Sequence, residues 1–119
     1  MKHLTTLLLV VVATAACSKA GSPADRQDVS ARMATVVDPI DACYAAALKR
    51  DRKLAGVMTL SFVAEAKTGK FINVVVNRDE LNDMELQQCV VAEVGKLKLE
   101  KPAKTNLAID YPLEFAPTN

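Results

Sequence analysis

Three cysteines carry most of the chemistry that can be placed in this chain: Cys17, Cys43 and Cys89. Cys43, within Asp-Ala-Cys-Tyr, and Cys89, within Gln-Gln-Cys-Val, each fall on the apolar face of a helical pattern. A bond between them would tie two helices over one small sheet. Two buried free thiols are the alternative, because Cys is also a good core residue. Two thiolates without a histidine make a poor metal set.

His3 is the only histidine, and it stands in a segment that reads as removable. Without it there is no His general base, no Ser-His or Cys-His dyad and no His-ligated metal. Thr59 and Ser61 sit in mid-strand positions, and the chain has neither a Gly-rich phosphate loop nor an activated-nucleophile pattern. The expectation is a non-catalytic protein with no cofactor and no metal. Asp79, Glu80, Asp83 and Glu85 form an acidic cluster. A calcium loop would need an Asp-x-Asp-x-Asp-Gly frame that this spacing lacks, so the cluster reads as helix-start carboxylates.

Residues 1–16 read as an export signal: Lys2 gives a positive start, Leu4 to Val12 an apolar run broken by Thr5 and Thr6, and Ala13, Ala15 and Ala16 the small residues before a cleavage point. About 13 helical residues reach only ~20 Å, short of a ~30 Å hydrocarbon core. The segment is expected to stay out of the folded domain. Lys2 is its only charged residue, so its loss takes the count from 15 basic against 14 acidic to 14 against 14. That balance predicts no nucleic-acid binding.

Thr14-Ala15-Ala16-Cys17 resembles the lipobox of bacterial lipoproteins, with Thr14 where an aliphatic residue is usual. The resemblance implies lipid on Cys17 and membrane attachment through it; cleavage after Ala15 or Ala16 by ordinary signal peptidase is the alternative. If Cys17 takes lipid, Cys43 and Cys89 remain as an even pair. Ser18, rather than Asp, after the lipid-bearing cysteine implies the outer membrane over the inner. Residues 17–28 are small and polar, with Gly21, Ser22 and Pro23, and are expected to act as a flexible tether.

Residues 29–117 are expected to form the domain. Val29, Met33, Val36 and Val37 have helical spacing. Asp38-Pro39 suggests a helix cap, followed by Ile40, Cys43, Tyr44, Ala47 and Leu48 on one face. Lys49, Arg50, Arg52 and Lys53 gather at that helix's end, where cations complement the dipole. Val57 to Glu65 and Phe71 to Asn77 alternate about a Lys67-Thr68-Gly69-Lys70 turn, which makes a hairpin. In the second strand Ile72, Val74 and Val76 are expected to share one side. Asn82, with Glu85 three residues on, suggests a capping box for a second helix with Leu86, Cys89, Val90, Val94 and Leu97 inward. Leu107, Ile109, Tyr111, Leu113 and Phe115 alternate in the last strand, and Pro112 places that strand at a sheet edge.

The order is helix, strand, strand, helix, strand. A right-handed crossover gives an α+β fold, a three-stranded antiparallel sheet of order 2-1-3 with two helices packed on one face. In it Cys43 and Cys89 face the same layer, and export would supply an oxidising compartment.

Ile40-x-x-Cys43-Tyr44-x-x-Ala47-Leu48, Leu54-x-Gly56, the Gly69 turn, Cys89-Val90, Lys101-Pro102 and Tyr111-Pro112-x-x-Phe115 resemble the AgmX/PglI C-terminal domain. That family is in turn similar to the TonB C-terminal domain. Leu97, Leu99 and Glu100 stand where the family usually has an aromatic residue and Phe-Pro. With no transmembrane anchor or proline-rich spacer, the energy-transducing role of TonB does not carry over. The resemblance implies an envelope interaction module in gliding, secretion or transport assemblies. Such a module would bind a protein partner by strand addition at Ile72 to Asn77 or at the edge carrying Leu107, Ile109, Tyr111, Leu113 and Phe115. Edges merely blunted by Pro112 and by Lys98, Lys101 and Lys104 are the alternative. A second functional expectation is a membrane-tethered carrier of a small hydrophobic ligand or lipid, with a cavity left by the alanines of residues 42–47.

Overall fold

A computed structural model describes residues 7–11, as backbone, and residues 21–117. Cys17, His3 and the rest of the expected export signal, with the first residues of the expected tether, lie outside the described residues. The elements are β1 (Leu7–Val11), α1 (Pro23–Ala34), α2 (Val37–Arg50), β2 (Gly56–Ala64), β3 (Phe71–Asp79), α3 (Met84–Val94) and β4 (Leu107–Pro117). No helix among the described residues is long and apolar enough to cross a membrane.

The sheet core is β3-β2-β4 with both pairs antiparallel, the 2-1-3 order expected from the crossover. β1 adds a fourth strand on the far side of β4. Every second residue of β2 from Met58 to Ala64, and every second residue of β4 from Leu107 to Phe115, is buried under the helices. That alternation follows from the pleat, which sends successive side chains to opposite faces. The core is one cluster in which Met58, Leu60 and Leu113 meet Ile40, Tyr44 and Ala47 of α2 and Leu86, Val90 and Val94 of α3.

The helix starts differ from the sequence expectation, each for a local reason. α1 begins at Pro23, inside the stretch expected to be a tether, because Ser22 closes a capping box. The Asp25 N–H donates to Ser22 Oγ, and the Ser22 N–H donates to the Asp25 carboxylate, both at 3.1 Å. Two further turns then place Val29 and Met33 in the core. α2 starts at Val37 rather than after an Asp38 cap, and Val36 at its N-cap makes no side-chain bond. Pro39 is tolerated there because first-turn N–H groups have no intrahelical partner. α3 is capped by Asp83, whose carboxylate accepts the Leu86 N–H at 2.8 Å. Asn82 instead takes a φ of 57°, and Glu85 reaches Arg50, so the expected capping box of Asn82 and Glu85 is replaced.

β3 also departs from simple alternation. Asn73 has a φ of 55°, and the β2–β3 register shifts between Ser61 and Val63 and again between Thr59 and Leu60. An extra residue in one strand reverses which side chains face inward. Phe71 is therefore buried while Ile72 lies on the other face, and Val74 and Val76 pack against the core beyond the bulge.

The sulfurs of Cys43 and Cys89 are bonded, with Cα atoms 5.9 Å apart, and link α2 to α3. Tyr44 is fully buried; its hydroxyl donates to the Leu54 carbonyl at 2.5 Å, and its ring lies 5.0 Å from that of Phe115. α2, the loop after it and β4 are thus held together by one side chain.

Candidate functional site

The five residues expected to mark a binding edge point into the core. Leu107, Ile109, Tyr111, Leu113 and Phe115 are each at most 4% exposed, so a partner at this strand would meet backbone, not these side chains. Their role is to fix the plane and register of β4. Tyr111 is held under α1, where burial pushes its phenol above the ordinary value and a hydrogen bond with Ser30 partly offsets the rise.

The outer rim of β4, with its N–H and C=O groups, is what this strand offers. The β2–β4 register runs without a break from Gly56↔Phe115 to Ala64↔Leu107, straight across Thr59↔Pro112. An unbroken inner ladder requires the Pro112 nitrogen, which has no hydrogen to donate, to face the outer rim. Residues two apart on a strand share that direction, so Glu114 and Ala116 turn their N–H groups outward. β1 pairs with this stretch in antiparallel register: Leu7↔Pro117, Leu8↔Ala116, Leu9↔Phe115, Val10↔Glu114 and Val11↔Leu113. The pairing stops next to Pro112. β1 also lies beside α2, so the strand sits between a sheet edge and a helix.

The opposite rim, on β3, is differently furnished. The Leu97 carbonyl accepts the Phe71 N–H at 3.0 Å, the Leu99 N–H donates to the Gly69 carbonyl at 2.9 Å, and Lys70 and Lys98 form a bridge between these bonds. The segment after α3 therefore covers the start of this edge, and the Asn73 bulge twists the rest of the strand. Bulges and covering segments are devices that discourage strand pairing. The two edges that sequence leaves equivalent are thus unequal: β4 is regular, and β3 is bulged and partly covered.

Arg50, from the basic cluster, and the acidic run are engaged within the fold. Arg50 donates to both carboxylate oxygens of Asp83, at 3.2 and 2.6 Å, and pairs with Glu85 at 2.8 Å. The hydrogen bond from Arg50 holds Asp83 below the usual carboxylate range, assisted by the Leu86 N–H and the opposite charge. Asp79 accepts N–H groups from Leu81 and Asn82 and the Gln87 amide, and Glu80 accepts from the Val57 N–H. Asp79 and Asp83 thus close local backbone turns, as helix-start residues do, while Glu80 ties the end of β3 to the start of β2. Ser61 donates to Asp110 at 2.6 Å across the sheet face that the helices leave open.

Few of the alanines of residues 42–47 face the core. Ala42 and Ala46 face outward, Ala45 is half-buried, and only Ala47 is buried, against the packed core. An open groove of about 640 Å³ lies elsewhere, between α1 and residues 100–105. Its lining includes Asp25, Gln27, Asp28, Glu100, Lys101 and Lys104, and Asp28 there accepts the N–H groups of Glu100 and Lys101. A lining of this polarity does not favour an apolar ligand. No protein-family model, no curated protein and no solved structure matches the chain.

Proposed function

We propose that this protein is a non-catalytic cell-envelope lipoprotein, held through lipid on Cys17 and facing the periplasm from the outer membrane. Its domain, like the AgmX/PglI and TonB C-terminal domains it resembles, serves as an interaction module in an envelope assembly for gliding, secretion or transport. It takes an extended segment of a partner protein by strand addition at the outer edge of β4. One observation carries this: that edge is regular over Leu113–Pro117 and accepts an extended strand in antiparallel register, whereas the β3 edge is bulged and partly covered. The apolar run and small residues before Cys17 support the anchor, and the Cys43–Cys89 bond fits an oxidising compartment.

Proline scanning of the lipidated protein tests the edge. Glu114→Pro removes an outward N–H without touching the inner ladder, and Val75→Pro acts on the β3 strand. Affinity capture from solubilised envelopes should lose its specific partner with Glu114→Pro and keep it with Val75→Pro. Unchanged recovery with Glu114→Pro removes the β4 edge from consideration. Intact mass of the same preparation should give a diacyl or triacyl chain beginning at Cys17, with two cysteines alkylated only after reduction. An unlipidated chain with free thiols would overturn the anchor.

A further inference from the structure

The strand already seated on the β4 edge belongs to the apolar run of the expected export signal. Leu7–Val11 consists of three leucines and two valines with no charge, a composition suited to an extended and sheltered position. Its five residues pair one for one with Leu113–Pro117, and β1 runs alongside α2. On the other side of β4 the ladder with β2 is complete. The outward N–H groups of Glu114 and Ala116 can therefore serve only one strand at a time.

We infer that Leu7–Val11 is an intramolecular occupant of the partner edge, so that the edge is shut in chains that retain this segment and opens when the segment is cut away. The inference rests on the proposal that the β4 edge is where a partner binds. It adds that binding competence is coupled to processing. The occupant an open edge accepts is an extended, uncharged aliphatic stretch of about five residues running antiparallel to β4, the chemistry of the segment that leaves. In the uncut chain the same pairing covers both an aliphatic run and a bare strand edge, each of which invites aggregation when exposed.

Hydrogen exchange on the oxidised 119-residue chain, read amide by amide, tests this. The Glu114 and Ala116 N–H groups should exchange slowly in the uncut chain. In the Val10→Pro variant, which breaks the outer ladder from the other side, they should exchange at least tenfold faster, while the amides of the β2–β4 ladder stay unchanged and report an intact fold. A lysine-flanked synthetic peptide carrying Leu-Leu-Leu-Val-Val, added to the Val10→Pro chain, should slow both amides again. Equal exchange of Glu114 and Ala116 in the two chains would overturn the intramolecular pairing. Failure of the peptide to restore protection would overturn the shared edge. Either result is independent of the envelope capture: protected amides with a partner that ignores Glu114→Pro would defeat the proposed function and leave the pairing standing.

Discussion

Asp41 stands in a setting unfavourable to its charge. It lies on α2, its Oδ1 is buried without a hydrogen-bond partner, and burial, followed by repulsion from Asp38, pushes its carboxyl above the ordinary value. A carboxyl whose pKa is raised by folding is unpenalised below its unfolded pKa of about 4, and stability is lost as pH rises through the folded value. Asp41→Asn should therefore be more stable than the parent at pH 7, by a fraction of about 1 kcal/mol for a half-buried group. The gap should close as the pH is lowered to about 3. Thermal melts of both chains across that range check the sign, and a variant less stable at pH 7 would show that the charge is satisfied. Asp83 has the opposite shift, since Arg50 holds its carboxyl down; its contribution is present above about pH 4 and fades as pH falls through the folded value. The two carboxylates are alike in sequence, both near helix starts, and only tertiary contact separates them.

The elements are legible where a side-chain period survives intact. Ile40, Cys43, Tyr44 and Ala47 on α2, Leu86, Val90 and Val94 on α3, and the five inward residues of β4 all occupy the faces their spacing predicts. What the period does not encode is where an element begins or slips. Ser22 and Asp25 extend α1 by a reciprocal pair of bonds hidden in a polar stretch, and Asn73 reverses the facing of β3 through a single positive φ. The inequality of the two sheet edges comes from that bulge and from the Leu97–Leu99 segment, both tertiary in origin. Gly69 is the joint on which this arrangement turns. Its φ is 76°, and a Cβ there would lie 3.1 Å from the backbone N and O of Leu99. Gly69→Ala should cost about 1–3 kcal/mol from backbone strain and the clash together, measured by urea unfolding. It should also speed exchange of the Phe71 N–H, which the Leu97 carbonyl now covers. A loss below about 0.5 kcal/mol would mean that the turn and the covering segment can move apart freely.

At the scale of the molecule, the Cys43–Cys89 bond decides how much of the fold depends on its compartment. The buried cluster joins the three described helices to one face of the sheet, but a domain of this size has a net stability of only about 5–15 kcal/mol. The disulfide spans a sequence separation of 46, and closing a loop of that length in the unfolded chain contributes about 4 kcal/mol by the chain-entropy relation. That is a large share of the total. The double variant Cys43→Ala, Cys89→Ala should therefore still fold, because Met58, Leu60, Leu86 and Leu113 remain fully buried, yet melt some 15–30 °C lower, at about 4–8 °C per kcal/mol for such a domain. Calorimetry of the oxidised parent and the double variant measures the difference. A drop of only a few degrees would mean that the unfolded chain already holds α2 and α3 together, and that the bond serves to keep α2 fixed beside the β4 edge. In that case the variant's loss would appear in strand binding at Glu114 and Ala116, with the melting temperature nearly unchanged. The two measurements together separate a bond that holds the domain folded from one that shapes the proposed binding edge.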